Sequence, residues 1–183
     1  MALITRRIFV RGAATLAAAL PMRKPWAAKP LPDLADALMP IEPRVAPPDM
    51  PFLDGEGKEH RLTEFRGHGM VVNLWATWCA PCVAELPSLA ALSVALAPFD
   101  IAILPLSSDR GGAETVRGWF ADHKITALPV LIDPKGALAR AWHARGLPTT
   151  LVIDREGREC ARLEGAADWS SQSAAPLIRR LVG

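Results

Sequence analysis

Two cysteines separated by two residues, Cys79-Ala80-Pro81-Cys82, are the side chains of this chain best suited to covalent chemistry. They follow Trp75-Ala76-Thr77-Trp78, so the pair runs from the end of an apolar stretch into a segment of helical spacing. A thiol at a helix start faces unpaired backbone N–H groups and the positive end of the helix dipole, which stabilise thiolate over thiol. Two intervening residues let a disulfide close within one turn, with Cys79 the more exposed partner and Cys82 set into the helix. The chemistry this spacing suits is thiol-disulfide exchange. Cys79 attacks an incoming disulfide, a mixed disulfide forms, and Cys82 releases the reduced product.

Other uses of a cysteine pair fit less well. A zinc site needs a second pair of ligands, and the sequence offers only isolated His60, His68, His123, His143 and Cys160. Haem attachment needs histidine directly after the second cysteine, where Val83 stands. A purely structural disulfide over so short a loop staples almost nothing, because its stabilisation depends on loop size.

The elements that must position the pair are legible from periodicity. Met70 to Ala76 is an apolar run broken only by Asn73, as expected of a central strand buried on both faces. Val83 to Leu96 has helical spacing, and Asp100 to Leu106 reads as a second buried strand. Phe52 to Leu62 predicts a small hairpin turned by Gly55 and Gly57, and Glu114 to His123 a helix. Pro129 to Ile132 is a short strand or edge segment, followed by a helical turn or two over Gly136 to His143. Thr149 to Ile153 and Glu159 to Leu163 are strands joined by the turn Asp154-Arg155-Glu156-Gly157, and an amphipathic helix closes the chain near Ser170 to Val182. Alternating strands and helices imply an α/β fold, a central mixed sheet with helices on both faces. Strict alternation puts Cys160 on the face of Arg158 and Arg162, and Ala161 and Leu163 on the other.

The 183 residues suit one domain plus a tail. Half are hydrophobic, so a normal core can form. The net charge of +2 resides in the start of the chain: Arg6, Arg7, Arg11, Arg23 and Lys24 precede every acid, and beyond residue 28 acids outnumber bases. Nucleic acid is therefore not an expected partner. Thr5-Arg6-Arg7-Ile8-Phe9 followed by the apolar Gly12 to Leu20 has the parts of an export signal and resembles a bacterial twin-arginine leader. A membrane anchor is the alternative, but Pro21, Arg23 and Lys24 end the apolar run well short of the ~20 residues a span needs. Residues 1–28 are thus read as the leader, 29–49 as a proline-rich linker and 50–183 as the domain. Nine of the 17 prolines lie between Pro21 and Pro51, so a plain spacer is expected there, with a regular sheet unlikely and at most a short helix over Leu31 to Met39.

From about residue 48 onward the chain resembles the thioredoxin superfamily, and within it the exported TlpA/ResA-like thiol-disulfide oxidoreductases. The resemblance rests on Trp75 to Cys82, on Glu85-Leu86-Pro87 one turn later, and on Gly146-Leu147-Pro148-Thr149-Thr150 before a strand. It implies a thioredoxin-like fold with an N-terminal hairpin and a strand-helix insertion over Asp100 to His123. It also implies that Pro148 is cis beside the dithiol, that Trp78, Ala80, Pro81, Leu147 and Thr149 contact substrate, and that Glu85 is an acid near the cysteines. Glu85 then either relays protons or merely favours the dipole of a first helical turn. Thioredoxin's buried strand aspartate is replaced by Asn73, which cannot take a proton, so any acid-base role moves to Glu85. Pro87 matches the family's kink proline. Trp75 suits the core, and Cys160 is most simply an incidental thiol.

The resemblance further implies a periplasmic reductant of protein disulfides, with no cofactor beyond a Cys79–Cys82 redox disulfide and no metal. Its expected partners are disulfide-bearing proteins, among them apocytochromes or copper-site proteins, and a membrane thiol relay as electron donor. Contact with the membrane itself is expected only through export or an uncleaved leader. Two other classes stand beside this reading. A peroxiredoxin-type peroxidase is opposed by the adjacent dithiol. A copper-carrying assembly module would recruit His143 near Pro148.

Overall fold

Every position of β4 (Gly69–Trp75) is buried, which requires cover on both faces of the sheet. Residues 30–183 are described in a computed structural model, and β4 lies inside its single eight-stranded sheet. It pairs in parallel with β5 (Ile101–Ser107) and antiparallel with β7 (Thr149–Ile153). The parallel crossover is α2 (Ala80–Leu96), whose buried Cys82, Glu85, Leu86, Leu89, Leu92 and Leu96 recur at helical spacing. Beyond β5 come β6 (Leu131–Ile132) and the hairpin of β2 (Phe52–Asp54) and β3 (Glu59–His60). Beyond β7 come β8 (Glu159–Glu164) and β1 (Met39–Val45), giving the order β1-β8-β7-β4-β5-β6-β2-β3.

Strand alternation divides β4 between two cores. Val71 and Trp75 join a cluster with α2, with α3 (Gly112–Asp122) and with α5 (Ala174–Val182). Met70, Val72 and Leu74 face the other cluster, with Phe52, Leu106, Leu151 and Leu138 of α4 (Ala137–Ala141). Asn73 shares the parity of Val71 and Trp75 and so faces α2. Gly69 permits the close approach of α5, since a Cβ there would lie 2.8 Å from the Val182 side chain. The thioredoxin-like architecture expected from the sequence, with its hairpin and strand-helix insertion, is the one observed. The proposed leader, residues 1–28, lies outside the described residues.

The segment expected to be a plain spacer is instead structured. After the one-turn helix α1 (Leu34–Ala37), β1 adds an outer strand to β8, and Leu34 and Leu38 are buried. Prolines were the reason to doubt a strand here. An edge strand accommodates them because only one side of it must supply ladder hydrogen bonds, and Pro40 and Pro43 both lie in β1. Arg44 then reaches Asp154 at 2.9 Å, and the backbone N–H of Asp168 donates to Pro32.

The β7–β8 turn forms as predicted, with Gly157 at φ 79° and Asp154 Oδ1 accepting from the Arg158 N–H at 2.8 Å. The expected orientation of Cys160 is wrong. Val152 pairs with Ala161 and Ile153 with Glu159, so Cys160 is the extra residue of a bulge. Cys160, Ala161 and Leu163 all enter the same core cluster. Burial raises the Cys160 thiol to about 11, which makes it a poor nucleophile.

Candidate active site

Cys79 occupies the N-cap position of α2, and its Sγ accepts from the backbone N–H of Cys82 at 3.3 Å. That N–H is one of the orphan donors of a helix start, so the geometry supplies the thiolate-stabilising contact expected of an N-terminal thiol. The cysteines form a disulfide with Cα atoms 5.2 Å apart. Cys79 retains 6% exposure and Cys82 none, so of the two only the Cys79 side reaches the surface. Ala80, Pro81 and Trp78 surround it on the surface, and Trp78 is 69% exposed although it is a large aromatic side chain. Trp75 is fully buried and stacks on Phe120 at 5.6 Å.

The loop between β4 and α2 is held by a residue that sequence reasoning missed. Asp109, just beyond β5, accepts from the Thr77 hydroxyl at 2.7 Å and from the Thr77 N–H at 2.9 Å. The Ser107 hydroxyl donates to it at 2.7 Å. The β4–β5 register, Trp75 opposite Ser107, explains why these residues meet. No local motif announces a contact across 32 residues.

Behind the cysteines lies a buried polar cluster. Glu85 is in the second turn of α2, so the alternative in which it serves only the helix dipole from the first turn does not fit its position. Its Oε1 accepts from Asn73 Nδ2 at 2.9 Å, and its Oε2 from the Trp169 indole N–H at 3.0 Å and the Ala167 N–H at 3.1 Å. Asn73 also donates to the Thr150 hydroxyl at 2.9 Å. Every partner is neutral. Burial therefore dominates and pushes the Glu85 carboxyl up to about 7, against the hydrogen bonds from Trp169, Ala167 and Asn73 that pull it down. Cys82 and Glu85, three residues apart on one helix, project from neighbouring positions on the buried face. Asn73 thus hydrogen-bonds the very acid to which its own inability to take up a proton shifts the acid-base expectation.

The Leu147–Pro148 bond is cis. Thr149 pairs with Leu74, which carries Pro148 to the end of the sheet where β4 leads into Cys79. Pro148 and Thr149 are buried, Leu147 is half-buried, and the Thr149 hydroxyl donates to the Gly146 carbonyl at 2.8 Å. The fold thus places Cys79, Cys82, Glu85, Trp78, Ala80 and Pro81 on or before α2, with the Leu147 to Thr149 segment at the same sheet end. His143 is exposed just after α4.

With this geometry in place, likenesses to known proteins acquire a structural meaning. Residues 44–158 match the AhpC/TSA family. The thiol-disulfide oxidoreductase ResA of Geobacillus thermodenitrificans is 34% identical over 111 residues, which cover 61% of this chain and 63% of that relative. The match therefore spans somewhat less than two thirds of the relative's length. A solved structure from Bacteroides vulgatus, named as a thiol-disulfide oxidoreductase, is 29% identical with a TM-score of 0.63, over 74% of this chain and 94% of that one. The exposed lipoprotein thioredoxin Etrx1 of Streptococcus pneumoniae is 25% identical with a TM-score of 0.57, over 73% of this chain and 98% of that one.

Proposed function

The chain belongs to the AhpC/TSA family of thioredoxin-like proteins, and on that premise we propose that it is an exported thiol-disulfide oxidoreductase that reduces disulfides of other proteins. The observation that carries the reading is Cys79 at the N-cap of α2, bonded to Cys82 and ringed by exposed Trp78, Ala80 and Pro81. No cofactor beyond this disulfide is needed.

In the reducing direction the Cys79 thiolate attacks one sulfur of a substrate disulfide, and the second substrate sulfur leaves as a thiolate that takes up a proton. Cys82 loses its proton and attacks the Cys79 sulfur. The first substrate sulfur then leaves and is protonated, and the protein holds the Cys79–Cys82 disulfide. Two electrons and two protons have passed to the substrate. Glu85, with its carboxyl near 7 and set beside Cys82, is the group suited to receive the Cys82 proton. The Leu147 to Thr149 segment would lie alongside the bound polypeptide.

The twin-arginine character of Thr5-Arg6-Arg7 supports a periplasmic site of action. An oxidising compartment requires an outside source of electrons, and a membrane thiol relay is the proposed donor. Cysteine pairs of apocytochromes or of respiratory copper sites are the proposed substrates. The test is reduction of insulin by the dithiol form of the chain. Cys79→Ser is expected to abolish it, and full activity in that variant would overturn the assignment.

A further inference from the structure

A groove of about 760 Å³ opens between the start of α3 and the loop leading into α4. Trp78, the residue before Cys79, forms one wall, and Ile132, Arg110, Gly112, Lys135 and Gly136 line much of the rest. Its charges are unbalanced. Arg110 and Lys135 are exposed, and among the described residues neither side chain has an acidic partner. The acid that borders the groove, Asp109, is 7% exposed and spends both carboxylate oxygens on Thr77 and Ser107. The N-terminal end of the 11-residue α3 has no side-chain cap, but Glu114 in its first turn offsets its partial positive charge, so the cationic character of the rim rests on Arg110 and Lys135.

We propose that this groove receives the polypeptide flanking the target disulfide and selects protein substrates that carry acidic side chains next to their cysteines. The inference rests on the oxidoreductase reading and adds to it a charge preference set by Arg110 and Lys135. Three features give the groove this role. It begins one residue from the attacking thiol. Trp78 supplies a flat apolar surface for an extended chain. The two unpaired cations attract carboxylates and repel lysine-rich segments, which discriminates by repulsion as well as attraction.

The test uses the full chain in its dithiol form and two synthetic peptides, each closed by one Cys-x-x-Cys disulfide. They are identical except that aspartates or lysines flank the cysteines. Each turnover reduces one peptide disulfide and oxidises Cys79 and Cys82 to theirs. The aspartate peptide is expected to react about tenfold faster at low ionic strength, with the ratio falling toward unity as salt screens the charges. Arg110→Glu combined with Lys135→Glu is expected to reverse the preference, and Lys135→Glu alone serves if the double variant does not fold. Equal rates for both peptides at low salt, or an unchanged ratio in the variant, would overturn the proposal while leaving the oxidoreductase reading intact. Failure to reduce either peptide or insulin would overturn that reading, and this one with it.

Discussion

Glu85 on α2 and Asp154 at the β7–β8 turn are both fully buried, yet their surroundings drive them in opposite directions. Glu85 meets only neutral donors, from Asn73, Trp169 and Ala167, and burial lifts its carboxyl to about 7. Burial also works to raise Asp154, but hydrogen bonds from Arg44 and Arg158 prevail and hold its carboxyl below the ordinary range. Cationic partners hold one buried acid ionised, and their absence lets burial leave the other with a proton that can move. One region is built for chemistry beside a dithiol. The other fastens the outer strand β1 and a hairpin turn to the sheet.

The contrast is most strongly tested at the ion pairs. Asp154→Asn removes the negative charge that Arg44 and Arg158 share, and is expected to lower unfolding free energy by about 2 kcal/mol at neutral pH. The figure is set below that for a wholly buried pair because the guanidinium groups reach solvent. Denaturant unfolding measures it. With its folded-state carboxyl depressed, Asp154 contributes stability that is present above the ordinary aspartate range and is lost as pH falls through the folded value. The variant should lack that acid-side loss.

Glu85→Gln carries the more informative effect on chemistry, and its effect on stability depends on pH. Its folded carboxyl is raised, so the stabilisation it contributes is complete below the unfolded value near 4.5 and fades as pH rises through about 7. The variant is expected to flatten the decline in stability between those values, a difference of about 3 kcal/mol at most. It should also move the alkylation pH profile of the dithiol to lower pH, because removing a nearby negative charge favours thiolate. Asp154→Asn should leave that profile in place. Identical profiles for wild type and Glu85→Gln would erase the distinction between the two acids.

The contrast between the two acids was not legible in the sequence, but much of the fold and of the candidate site was, and the gaps have physical causes. β4 and α2 were readable because an apolar run broken only by Asn73 and a helical stripe are local signals of burial. Cys79, Cys82 and Pro148 were readable because their spacing matches a family pattern. β1 was hidden by Pro40 and Pro43, whose cost disappears at a sheet edge. Cys160 was placed on the wrong face because a single bulge residue defeats strict alternation. Asp109 and Trp169 were missed because they reach Thr77 and Glu85 across 32 and 84 residues, and only the folded register brings them together.

The account stands or falls on Cys79 as the attacking thiol and Cys82 as the one that resolves. Cys82→Ser removes the internal route of release, so Cys79 should accumulate as a mixed disulfide with its protein substrate. Non-reducing electrophoresis of cells producing the variant is expected to show covalent partners that vanish with reductant and are absent from the Cys79→Ser, Cys82→Ser double variant. Recovery of cysteine-pair proteins of the same compartment would identify the substrates. No adduct that depends on Cys79, under conditions where the wild type is active, or adducts formed through Cys160 instead, would contradict the account.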